Sequence, residues 1–212
     1  MTARASDGPA SQPPLVVIGG GVRSGKSRFA IERAGQLGGP RRTFIATAEP
    51  LDGEMAERIA RHQDERRGGG FTTLEEPLDL NTALGSAYAT ADVVVVDCLT
   101  LWVSNHLVRE ATAAELGGAF DRLLAALGRR PIPVVLVSNE VGLGLVPDTA
   151  LGRAFRDQVG LLHQRLAAVA DELYAGLMGT LLRLRPAPVE AVVVAAASAR
   201  APSRRLSPGD GP

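Results

Sequence analysis

The amino-acid sequence predicts an α/β fold, a mostly parallel sheet with helices on both faces. Three observations carry that prediction. Short, continuously apolar runs at Leu15–Ile18, Asp92–Val96 and Pro133–Val137 read as strands buried on both faces. They alternate with segments of helical periodicity, the longest running from Leu151 to about Leu173. A glycine-rich stretch joins the first apolar run to the first helical one, at the carboxyl end of a strand, where ligands of such sheets bind.

Each element follows from its own pattern. Leu15–Ile18 is the first strand, and Lys26 to Leu37 the first helix. Thr43–Thr47 is the second strand, followed by a charged helix over Glu54–Arg67 that Gly68–Gly70 ends. Phe71–Leu74 is a short extended piece. Four valines ending on Asp97 make Asp92–Val96 the clearest buried strand. Helices are expected over Thr100–Val108 and Ala113–Leu127, with Pro133–Val137 as another buried strand. In the long helix, Phe155, Val159, Leu162, Leu166, Val169 and Leu173 fall on one stripe.

The organisation is a flexible leader over residues 1–13, a single domain over 14–185 and a tail over 186–212. Five prolines make that tail mostly disordered in this reading, with a short helix or strand allowed at Val189–Ala199. A chain of 212 residues favours one domain. Its 23 basic and 23 acidic residues cancel, which argues against a nucleic-acid protein working through a broad basic surface. One cysteine, Cys98, cannot form an internal disulfide or a multi-thiolate zinc site. No apolar stretch approaches the roughly 20 residues of a membrane span, and the polar start lacks a signal-peptide core. A cytoplasmic protein is expected.

The chemistry starts at Gly20-Gly21-Val22-Arg23-Ser24-Gly25-Lys26-Ser27, which matches G-x-x-x-x-G-K-[ST] between a strand and a helix. Glycines let backbone N–H groups wrap a phosphate, and the helix N-terminus adds positive potential. In such a loop Lys26 reaches the β/γ-phosphates and the Ser27 hydroxyl ligates Mg²⁺. All but one of the chain's basic residues are arginine, and the exception is Lys26. The fold is therefore expected to be P-loop NTPase-like. Asp97, at the carboxyl end of a buried strand, can hold Mg²⁺ across from Ser27, or can merely cap the next helix. Arg23 either neutralises phosphate charge or pairs with a neighbouring acid.

On the charged helix, Met55, Ile59, His62 and Arg66 share one face. His62 is either a packed residue of that face or a nucleophile, since neutral imidazole can attack phosphorus while an arginine stabilises developing charge.

Seven segments in order resemble a known family: residues 20–27, Phe-Ile-Ala-Thr-Ala (44–48), residues 52–66, Thr-Leu-Glu-Glu-Pro (73–77), Val-Asp-Cys-Leu-Thr-Leu-Trp-Val-Ser-Asn (96–105), Val-Ser-Asn-Glu-Val-Gly (137–142) and Arg-Ala-Phe-Arg-Asp (153–157). They look like the bifunctional adenosylcobinamide kinase/adenosylcobinamide-phosphate guanylyltransferase of cobalamin biosynthesis. That resemblance implies phosphorylation of adenosylcobinamide by ATP or GTP, then GMP transfer from GTP through a GMP–histidine intermediate at the position of His62. It also implies nucleotide contacts on residues 20–27, on Ala46, Thr47 and Ala48, on Gln63, Asp64, Glu65 and Arg66, and on Glu75 and Asp97. It implies a homo-oligomer as well. The chain departs from the family at His163, where an asparagine is expected, and over Leu173–Leu184, a weak match to the last strand.

Two other classes compete. A plain P-loop kinase would leave His62 structural. A GTP-dependent switch would need an Asn/Thr-Lys-x-Asp element, which a chain with one lysine in its phosphate loop cannot hold.

Overall fold

The computed structural model describes residues 12–50, 53 and 69–192. Its eight-stranded sheet has the order β3-β2-β4-β5-β1-β6-β7-β8. The first six in that spatial order are parallel: β3 (Phe71–Glu75), β2 (Arg42–Ala46), β4 (Val93–Asp97), β5 (Val134–Val137), β1 (Leu15–Gly20) and β6 (Glu172–Leu177). Two antiparallel strands, β7 (Thr180–Arg185) and β8 (Glu190–Val192), complete one edge. Among the described residues no helix is long and apolar enough to cross a membrane.

Strand alternation splits the core into two layers. Val16 and Ile18, Val93 and Val95, and Val135 and Val137 pack with Phe29, Ala30 and Ala34 of α1 (Lys26–Leu37). Their neighbours Leu15 and Val17, Val94 and Val96, and Val134 and Leu136 face the other helices. Those are α2 (Leu80–Thr90), α3 (Leu99–Leu107), α4 (Ala113–Gly128) and α5 (Ala150–Val169). A period of two with both faces covered produces the continuous valine runs that marked these strands in the sequence. Burying each such valine or leucine is worth roughly 1.5–3 kcal/mol, so Val95→Asp would unfold the sheet from its centre.

The expected helix from Leu151 to about Leu173 is shorter in the structure. It ends at Val169, where Ala170 turns extended, and Leu173 lies in β6 rather than on the helical stripe. Asp171 fixes the reversal: its N–H donates to the Leu15 carbonyl at 2.9 Å, and its carboxylate accepts from the Leu15 N–H at 2.7 Å. The β6–β7 hairpin and α2 are additions to the sequence reading. Met178 and Gly179, both with positive φ, form the two-residue turn between Leu177 and Thr180. Asp79 caps α2, its carboxylate accepting from the Thr82 N–H at 3.1 Å. β8 falls within the 186–212 segment, at the stretch where the sequence allows a short strand.

Candidate active site

β1 delivers the chain to Gly20 at the carboxyl edge of the sheet, and α1 starts six residues later. Gly25, the N-cap of α1, has φ 87°, a left-handed conformation natural to glycine. Inside the loop the Ser24 N–H donates to the Gly21 carbonyl at 3.3 Å, and Lys26 Nζ donates to the same carbonyl at 3.0 Å. Lys26 is only 7% exposed, although it begins a helix. The first turn of α1 has no acidic residue, so the positive end of its dipole is left for an anion.

The neighbouring strands frame the loop. On one side the Ser138 N–H donates to Ile18 and the Glu140 N–H to Gly20, both at 3.0 Å. On the other, Gly176 of β6 stands opposite Gly20. Register then places the sequence-predicted residues in one row. Glu75 pairs with Ala46, Ala46 with Asp97, Asp97 with Val137, and Val137 with Ile18, two residues before the loop begins.

Asp97 does not cap α3: the N-cap is Cys98, with no side-chain capping bond. Its carboxylate and the Lys26 ammonium both act on the buried Cys98 thiol. Burial pushes that thiol up to about 11, Asp97 adds to the rise and Lys26 opposes it. The carboxylate at the end of β4 and the cation of the loop thus act on the same buried thiol with opposite sign. Ser27 in the first turn of α1 and Asp97 at the end of β4 are half-buried residues with side-chain oxygens. This suits Mg²⁺, which takes one or two protein oxygens and fills its shell with water and phosphate. Among the described residues no group of three His, Cys, Asp or Glu forms a metal cage.

Thr47 is fully buried, and its hydroxyl is committed within the chain. It donates to the Cys98 carbonyl at 2.7 Å and accepts from the Cys98 N–H at 2.8 Å, locking β2 to the end of β4. Ala46 and Ala48 flank it on the same edge. Val22 and Arg23 form the exposed crest of the loop, Arg23 with φ 57°. His62 and Gln63–Arg66 lie outside the described residues.

The structure adds a polar network that the sequence reading did not assign. The Asn139 side chain donates to Thr100 Oγ1 at 2.9 Å, and its backbone N–H does so at 3.1 Å. His163 Nε2 lies 2.7 Å from the buried Ser138 hydroxyl, and its Nδ1 lies 3.6 Å from the Glu140 carboxylate. Burial lowers the His163 pKa, against the smaller opposing pull of Glu140. Asn105 donates to the carbonyls of Thr47 and Pro77 at 2.8 and 3.0 Å. The available signal was polar residues clustered just past the apolar runs of β4 and β5.

A glycine loop between the first strand and helix of a parallel sheet, with an aspartate at the end of a nearby strand, defines a P-loop nucleotide-binding protein. The particular family is narrower. Residues 16–184 match the CobU family, described as cobinamide kinase / cobinamide phosphate guanyltransferase, and the chain belongs to it. It is similar to the bifunctional adenosylcobalamin biosynthesis protein CobP of Pseudomonas aeruginosa, 42% identical over 82% of this chain and 98% of that protein. The protein of the same description named CobU in Salmonella typhimurium is 38% identical over 81% of this chain and 99% of its own length. Among solved structures, the ATPase domain of G40P is similar at 11% identity and TM-score 0.49, over 85% of this chain and 80% of that one.

Proposed function

We propose that this protein phosphorylates adenosylcobinamide with ATP or GTP and then transfers GMP from GTP to the resulting phosphate. The product is adenosylcobinamide-GDP, and 14–185 is the catalytic unit. One observation carries the reading: the family match spans the phosphate loop and the strand-end row of Glu75, Ala46 and Asp97 that flanks it.

In the kinase step the loop, Lys26 and the α1 N-terminus hold the β- and γ-phosphates, and Ser27 and Asp97 hold Mg²⁺. Held by those two residues, Mg²⁺ would supply charge neutralisation at the phosphates; there is little covalent chemistry for the protein to perform. In the transfer step the His62 imidazole forms a P–N bond at the α-phosphorus of GTP as the bond to pyrophosphate breaks. A phosphate oxygen of adenosylcobinamide phosphate then attacks that phosphorus, the P–N bond breaks, and neutral imidazole is restored. Residues 46–48, Gln63–Arg66 and Glu75 are the remaining nucleotide contacts in this reading.

A homo-oligomer and a cytoplasmic setting belong to the same proposal. Leu143, Leu145 and Val146 expose apolar side chains on the loop after β5, next to the site, as an oligomer surface would.

The test is incubation with α-labelled GTP, for the parent and for His62→Ala. The parent should form an acid-labile, alkali-stable adduct. His62→Ala should lose both adduct and guanylyl transfer while phosphorylating adenosylcobinamide. Guanylyl transfer by His62→Ala at the parent rate would defeat the nucleophile assignment.

A further inference from the structure

The phosphate loop is backed by a strand that lies outside every nucleotide motif of the sequence. β6 runs parallel to β1 with Gly176 opposite Gly20. A Cβ on Gly20 would lie 2.9 Å from both the Cα and the carbonyl oxygen of Gly176. A Cβ on Gly176 would lie 2.8 Å from Ser24 Oγ and 3.0 Å from Ser24 Cβ, and side chains do not pack that tightly. Ser24 is 6% exposed, and its hydroxyl has no hydrogen-bond partner among the described residues. Contact with the two glycines, rather than a polar bond, therefore decides where Ser24 sits.

We propose that Gly176 is a positioning residue for nucleotide binding. Its missing side chain is the space into which Ser24 packs, and that packing fixes the loop backbone between Arg23 and Ser27. Turning the Ser24 hydroxyl about its own side-chain bond relieves the 2.8 Å contact but leaves Ser24 Cβ at 3.0 Å, so the backbone must still give, in one of two ways. Moving β6 away from β1 would break a ladder paired from Val16 to Gly20. Moving Ser24 costs the loop only one weak internal bond, from its N–H to Gly21 at 3.3 Å, so the loop yields. The third close neighbour, Leu181 Cδ2 at 3.2 Å, is the end of a flexible side chain and can turn aside. Hydrogen bonds from a displaced backbone to phosphate then lengthen and bend, and such bonds weaken steeply with angle.

The inference rests on reading the loop as the nucleotide site, and one four-protein comparison separates the two. Mg²⁺ with GTP is titrated calorimetrically into the parent, Gly176→Ala, Ser24→Gly and the double variant. Binding by the parent tests the site itself, and a parent that does not bind defeats that reading. Gly176→Ala should weaken binding about tenfold or more, the loss expected of at least one charge-assisted hydrogen bond. The nucleotide KM should rise in both half-reactions alike. In the Ser24→Gly background, where Oγ and Cβ are both gone, the same change should cost less than about threefold. Unchanged affinity in Gly176→Ala, or an equal loss in both backgrounds, overturns the proposal. If Gly176→Ala does not fold, a double variant that folds and binds like Ser24→Gly upholds the contact. A double variant that also fails to fold overturns it.

Discussion

The two ends of the parallel sheet each bury a cation, with opposite consequences. At the amino ends Arg130 is 6% exposed and donates to the Leu127 carbonyl at 2.9 Å, to the Pro13 carbonyl, and to the Asp171 carboxylate at 2.6 Å. It follows directly on the C-terminus of α4, where the helix dipole is negative and a cation is stabilised. At the carboxyl ends Lys26 is the first residue of α1, where the dipole is positive and a cation is disfavoured. Arg130 therefore sits at the helix end that favours a cation, whereas Lys26 sits against the dipole of its own helix, at an end that suits an anion. Burial alone does not distinguish a staple from a ligand-binding group; the direction of the nearest helix does.

The largest expected effect breaks the comparison at the Lys26 end. Lys26→Ala should cost on the order of 10²-fold or more in both activities, because positioning and charge stabilisation dominate phosphoryl transfer. Its thermal midpoint should fall less than that of Arg130→Ala, because the loss of the Nζ bond to the Gly21 carbonyl is offset by removing a cation from the positive end of a helix. Retained turnover, or a midpoint lowered as far as that of Arg130→Ala, would put Lys26 in the same class as Arg130.

Arg130→Ala should do the reverse. Loss of the guanidinium strips the Leu127 and Pro13 carbonyls and the half-exposed Asp171 of a donor. The cost should be about 2–3 kcal/mol in urea unfolding, with Mg²⁺–GTP affinity unchanged. Weakened nucleotide binding with normal stability would erase the distinction between the two ends.

The smallest effect sharpens the carboxyl end through pH. Burial lowers the folded-state pKa of both His163 and His106. The unfolded chain then binds more protons near pH 6, so stability is present above the unfolded histidine value of about 6.5 and is lost as pH falls below it. His163→Asn should flatten that acidic slope by up to about 1.4 kcal/mol per pH unit. An unaltered acidic slope of the thermal midpoint would remove His163 from this account.

Legibility in the sequence followed locality. The phosphate loop, its strand and its helix were readable because the motif and its context fit within residues 15–37, and α1 begins and ends where expected. The valine run to Asp97 was readable because a strand buried on both faces leaves no alternation to confuse. Register was not: nothing in the sequence states that Glu75, Ala46 and Asp97 share a row. The end of α5 was misplaced because apolar residues at 162, 166, 169 and 173 keep helical spacing across a boundary set by Asp171 and Leu15, far apart in sequence. α2 escaped because half of its buried face, Leu80, Ala83, Leu84 and Ala87, is alanine and the apolar stripe is faint. The Gly20–Gly176 approach joins two distant strands and has no local signature at all.

Because Lys26 is the only lysine, the side-chain amine chemistry of the whole chain resides at the floor of the phosphate loop. Arginine supplies every other fixed side-chain cation, and guanidinium stays protonated throughout the physiological range and so resists acylation. Sugars and aldehydes that would react with surface lysines of another enzyme find a single side-chain amine here, almost wholly shielded. Modification of a side-chain amine by such reagents is then confined to one atom, and an occupied loop is its own protecting group.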